Sequence, residues 1–136
     1  AYAKATSLAD FSGAKITAQL NTFHYTVVDQ IPGVDKQTAM EDFPTMIVAL
    51  QSGKIDGYIS ERPGAMSAQM SNPDLTYIAF DAGKGFDYST DEGAVAVGIK
   101  KGSDLKDQIN KVLAGITDDD RQSMMETAIA NQPAAE

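Results

Sequence analysis

The chain predicts an α/β fold, a mainly parallel open sheet with helices on both faces. Three observations lead there. Strand-like runs alternate with helical runs along most of the 136 residues. The connections between them are short, as crossovers between parallel strands require. Several runs also carry explicit start or stop signals that fix where one element gives way to the next.

Taken in order, residues 15–20 (KITAQL) form the first strand candidate, entered from the turn signal at Ser12 and Gly13. Residues 23–31 are apolar-rich and predict a helix stopped by Pro32 and Gly33. Residues 37–40 are a poorer strand candidate, since only Thr38, Ala39 and Met40 favour burial. A helix then begins at Asp42, with Pro44 in the first turn, where its missing N–H costs nothing. Met46, Ile47 and Leu50 share one face of it, and Gly53 supplies the end signal.

A strand over 55–60 follows at once, then a helix over 63–70 ending near Asn72 and Pro73. Residues 75–80 (LTYIAF) are β-rich and predict another strand. Three glycines and four acids without periodicity make 81–93 a surface loop, and the small residues of 93–100 a further strand. Ser103 can cap a helix whose Leu105, Ile109, Val112, Leu113 and Ile116 form one apolar stripe. Thr117 and Asp120 have capping-box spacing, opening a last helix with Met124, Met125, Ala128 and Ile129 inside. The tail 131–136 is expected to fray. The chain has no solenoid-period repeat and no low-complexity tract.

Composition narrows the function classes. A content of 43% hydrophobic and 22% charged residues is ordinary for a globular chain, and there is no run of apolar residues long enough to span a membrane. Zero cysteines exclude disulfides, thiolate metal sites and cysteine nucleophiles. A net charge of −8 argues against a nucleic-acid partner, which needs a basic stripe. Compartment is not decided by composition. No signal peptide or lipid-attachment cysteine is visible, and the opening residues read like the middle of a polypeptide, so an export signal would lie upstream.

The residues that could carry chemistry gather at strand ends. Asn21 and Thr22 close the first strand where a helix can begin, which places backbone N–H groups beside a cleft suited to a carboxylate ligand. Ser60 and Glu61 close the 55–60 strand with a carboxylate of the chain itself. In an open parallel sheet, ligands sit beyond the carboxyl ends of the strands, so Gln19, Asn21, Thr22, Ser60 and Glu61 would share one edge. A carboxylate receptor beside a carboxylate suits a zwitterion, and an amino acid is the ligand expected.

Both features also have plainer readings. Asn tolerates the left-handed region and Thr is an ordinary N-cap. Glu61 and Arg62 can be a solvated pair ahead of a helix started by Pro63. His24, the only histidine, reads as a surface or packing residue without a partner at metal-ligand spacing. Asp118, Asp119 and Asp120 read as a helix start, and Met124 and Met125 as core filler. The glycines of 81–93 make no phosphate-binding fingerprint, and no serine stands in a nucleophile elbow. No cofactor or metal is implied, and no feature demands an enzyme.

Three blocks carry a family resemblance. Residues 10–22 (DFSGAKITAQLNT), 49–61 (ALQSGKIDGYISE) and 94–105 (AVAVGIKKGSDL), the last continuing to INKVL at 109–113, resemble the family 3 extracellular solute-binding proteins in order and spacing. These are amino-acid receptors of ABC importers, and the likeness covers roughly residues 7–117. It implies one lobe of a periplasmic-binding-protein-like (type II) clamshell. Residues 1–95 would be the second lobe with hinge strands at its ends, and 96–136 a return segment of two helices packing on a first lobe. The first lobe, with the arginine that grips the ligand α-carboxylate in the family, would lie outside these residues.

The resemblance further implies that Thr22 and the following amides, beginning with Phe23, contact a ligand carboxylate. Glu61 would hold the α-ammonium, and Gln19 and Ser60 would line the side-chain end. Asn21 stands where the family usually has glycine, and Glu61 where it more often has aspartate. The expected partners are an amino acid and the membrane permease of an ABC importer, at the extracellular face or in a periplasm. The exposed stripe of the last helices also allows self-association. Two rivals share the scaffold: a cyclohexadienyl dehydratase-like enzyme, which would need Glu61 in an apolar pocket, and the effector-binding domain of a transcription regulator.

Overall fold

The computed structural model describes residues 2–81 and 83–132. It is a mixed α/β structure that divides into two compact units, Ala1–Gly93 and Ala94–Glu136.

The first unit is built on a three-stranded parallel sheet in the order β2-β1-β3. Strand β1 (Lys15–Ala18) is central, flanked by β2 (Asp35–Lys36) and β3 (Gly57–Ile59). Three consecutive residues of β1, Ile16, Thr17 and Ala18, are buried. Successive side chains point to opposite faces, so both faces of β1 are covered. On one face Ala14, Ile16 and Ala18 pack with Val28 and Ile31, with Leu8, Phe11, Val34 and Phe86 around them. Each of the Ile16, Val28 and Ile31 side chains removed from water contributes about 1.5–3 kcal/mol. The Thr17 hydroxyl, the one buried polar side chain among the described residues, donates to the Thr38 carbonyl at 2.8 Å.

Helix α1 (Phe23–Val27) is shorter than the 23–31 expected and passes into a 3-10 turn over Val28–Gln30. The cause is visible in the run Thr26-Val27-Val28, whose β-branched side chains lose rotamer freedom in a helix just ahead of Pro32. Helix α2 (Phe43–Gln51) matches its signals closely. The Asp42 side chain caps it by accepting from the Thr45 amide at 2.8 Å, and Gly53 closes it at φ 71°. Bonds from the Thr45 hydroxyl and amide hold the Asp42 carboxyl below its usual range. Its inward residues are Met46 and Ala49, with Val48 left exposed. Helix α3 (Arg62–Ser71) has Glu61 as its N-cap residue and Pro63 in its first turn.

Three expected strands are corrected. Residues 37–40 do not form one; β2 lies two residues earlier, and Met40 only bridges Gln19. The Gln37 amide still bonds the Ile16 carbonyl at 2.8 Å, but the Thr38 carbonyl is taken by the Thr17 side chain, which breaks the ladder. Residues 75–80 are not a strand either. Phe80 instead packs edge-on against Phe11 and Phe86, with ring centroids 6.3 and 6.2 Å away. Residues 94–100 form no strand, and Val95, Val97 and Ile99 are exposed. β-rich composition reports fit to a pleated surface, and neither segment has a paired neighbour to make it one. The 81–93 loop holds one short helix, α4 (Thr90–Gly93), whose start is tied by the Ser89 hydroxyl to Glu92 at 2.8 Å.

The second unit contains α5 (Leu105–Ala114) and α6 (Asp118–Ala130). Asp104, not Ser103, is the N-cap residue of α5, although the Ser103 hydroxyl accepts from the Leu105 amide at 3.2 Å. Thr117 and Asp120 make the expected capping box on α6. Arg121 donates to the Leu113 carbonyl at 2.9 Å and ties α6 to the end of α5. The α5 stripe is partly open, with Val112 66% exposed, and Met124 and Met125, expected inside α6 as core filler, are exposed as well because no described element of this unit covers that face. The tail expected to fray lies, at 133–136, outside the described residues. Among the described residues no helix is long and apolar enough to cross a membrane.

Candidate functional site

The register of the sheet sets the site. Ala18 pairs with Ile59 across β1 and β3. The two strands are parallel and adjacent, so the segments that leave them, Gln19 to Thr22 and Ser60 to Glu61, emerge side by side at one carboxyl edge. The N-terminus of α1 and the N-cap of α3 therefore meet there. There His24 Nε2 stands 3.7 Å from Glu61 Oε2.

The turn between β1 and α1 is tightly specified. Asn21 has φ 61°, the one non-glycine residue in the left-handed region among the described residues. Asn pays less there than most residues because its short side chain bonds locally. The Thr22 hydroxyl donates back to the Gln19 carbonyl at 2.7 Å and does not cap α1. The amides of Phe23 and His24 have no acceptor among the described residues, leaving two donors at the start of the helix. With only five residues, α1 has a small dipole, so these amides rather than the macrodipole are what the edge offers an anion.

The other expected residues have local partners. The Gln19 side-chain amide donates to the Glu41 carbonyl at 3.0 Å, joining the turn to the segment before α2. The Ser60 hydroxyl donates to the Glu61 carbonyl at 3.0 Å. Gln19 and Ser60 thus brace the edge. Glu61 caps nothing with its side chain, which is 51% exposed.

Two neighbours of Glu61 were not legible as site residues. His24 reads from sequence as a packing residue, yet its ring, 16% exposed, is wedged between Glu61 and Phe23, whose centroid is 4.2 Å away. Burial pushes its imidazole toward the neutral form, and the Glu61 charge opposes this with a smaller effect. Gly64 is the second. A Cβ there would stand 2.9 Å from Glu61 Oε1 and 3.5 Å from the Phe43 ring, so the carboxylate lies directly over this turn. A glycine inside a helix costs about 1 kcal/mol against alanine, and that anomaly was the available signal. Tyr58, on β3, packs at a tilt against Phe43 with ring centroids 6.1 Å apart, and its phenol is pushed up by burial and by Glu61.

A shallow hollow lined by Tyr2, Lys4, Ala5, Thr6 and Asp10 involves none of these residues. Among the described residues no three His, Asp or Glu side chains are arranged to hold a metal ion. Comparison with protein-family models, curated proteins and solved structures found no match.

Proposed function

We propose that this chain is the second lobe and return segment of an amino-acid receptor of the clamshell type, which captures its ligand without chemistry and delivers it to the permease of an ABC importer. The observation that carries the reading is the meeting of two unlike groups at one sheet edge. The amides of Phe23 and His24 offer donors to a ligand carboxylate, and Glu61, 3.7 Å from His24, offers an acceptor to an ammonium. Half-exposure of the Glu61 side chain leaves it open to a ligand and does not favour the dehydratase alternative, which calls for an apolar pocket.

The remaining contacts would come from a first lobe, closing over the ligand about the hinge. A charge-assisted hydrogen bond contributes about 1.5–3 kcal/mol. Micromolar binding needs about 8 kcal/mol, so one lobe falls short of it. Calorimetry of this chain with each common L-amino acid therefore gives affinities weaker than micromolar. Micromolar affinity in the isolated chain would contradict this division between lobes.

A further inference from the structure

We propose that His24 decides whether Glu61 is available to a cationic ligand group: beside a neutral imidazole the carboxylate accepts the cation, and beside an imidazolium it is already taken. As a statement about amino acids the proposal rests on the receptor reading above; as a statement about cations it does not.

Among the described residues, the ion pair His24 makes is with Glu61. Phe23 covers one face of the ring at 4.2 Å, and Tyr88 packs on Phe23 in turn at 5.4 Å. Glu61 reaches it from the start of α3, and Tyr58 on β3 feels the same carboxylate without ionising near neutral pH. Burial disfavours the charged form of the imidazole, and the Glu61 carboxylate opposes this with a smaller effect. At neutral pH the ring is therefore mainly uncharged, and among the described residues no Lys or Arg forms an ion pair with the Glu61 carboxylate. Acidification puts a positive charge at that distance, and an incoming ammonium must then displace it. Since the carboxylate is half exposed, the competition is worth up to about fivefold in affinity, the range of solvent-exposed ion pairs.

His24 is the only histidine, so its ring protons give one unambiguous NMR titration in the full chain. Three titrations test the proposal: the unaltered chain in sodium chloride, the same chain in methylammonium chloride of equal ionic strength, and the Glu61→Gln variant. Glu61 makes no cap bond with its side chain, so that variant keeps the fold. The expected result is a lower His24 pKa both in Glu61→Gln and in methylammonium, because each removes the attraction of the carboxylate. A titration unmoved by either change overturns the proposal. If methylammonium lowers the pKa but no amino acid binds the chain or a two-lobed protein containing it, the receptor reading fails and the cation gate stands. Where an amino acid does bind, its affinity falls up to about fivefold through the His24 titration and stays level in His24→Gln; an equal fall in His24→Gln overturns the gate.

Discussion

Ala18 and Ile59 are register partners on adjacent parallel strands, and this pairing brings the β1–α1 turn against the start of α3. Neither residue carries polar chemistry. Their pairing converts a separation of about forty positions in the chain into a contact between His24 and Glu61.

The left-handed turn at Asn21 sets where the α1 amides point. Asn21→Gly is expected to leave stability within a few tenths of a kcal/mol. Asn21→Val places a β-branched residue at φ 61° and costs about 1–2 kcal/mol, measured by urea denaturation. Equal stability in the two variants would show that the turn relaxes freely.

Gly64 separates a helix effect from a site effect. Gly64→Ala gains up to about 1 kcal/mol in helix propensity. The new methyl group meets Glu61 Oε1 at 2.9 Å, and the carboxylate, the end of a flexible side chain, moves aside. Thermal unfolding should therefore show a chain at least as stable as the original, while the influence of Glu61 on the His24 titration weakens. A destabilised variant with unchanged coupling would contradict this placement of the carboxylate.

Met46 is fully buried on α2. Met46→Ala is expected to cost about 2–5 kcal/mol, a large fraction of the stability of a domain this size. Val48→Ala on the exposed side of the same helix should stay within about half a kcal/mol.

Stability should fall on mild acidification through His24. Its folded-state pKa is lowered by burial, so the unfolded chain takes up a proton first as the pH drops below about 6.5. The loss begins near that value and ends once the folded chain is protonated too. Comparing urea midpoints at several pH values in the original chain and in His24→Gln isolates this contribution, since carboxylates titrate lower and are common to both. A difference that does not vary with pH would exclude His24 as its source.

Much of the fold was legible where a local signal settles the matter. The Asp42 cap with Pro44 and Gly53 bounded α2, Pro63 opened α3, and Thr117 with Asp120 opened α6. Residues 75–80 and 94–100 misled because a strand is defined by its neighbour, and side-chain composition does not contain that neighbour. For the site, the strand-end positions of Asn21, Thr22 and Glu61 could be read from the order of elements. The wedging of His24 against Glu61 could not, because it depends on the register of β1 and β3.

The most direct test is an NMR titration of the full chain, following the Phe23 and His24 amides with L-amino acids and with their deaminated carboxylic acid counterparts, in the original chain and in Glu61→Ala. The account predicts that at least one amino acid shifts both amides in the original chain, that its deaminated counterpart shifts them far less, and that Glu61→Ala removes the difference. Equal shifts from the two ligand types in the original chain, or an amino-acid response untouched by Glu61→Ala, would contradict joint recognition of carboxylate and ammonium at this edge.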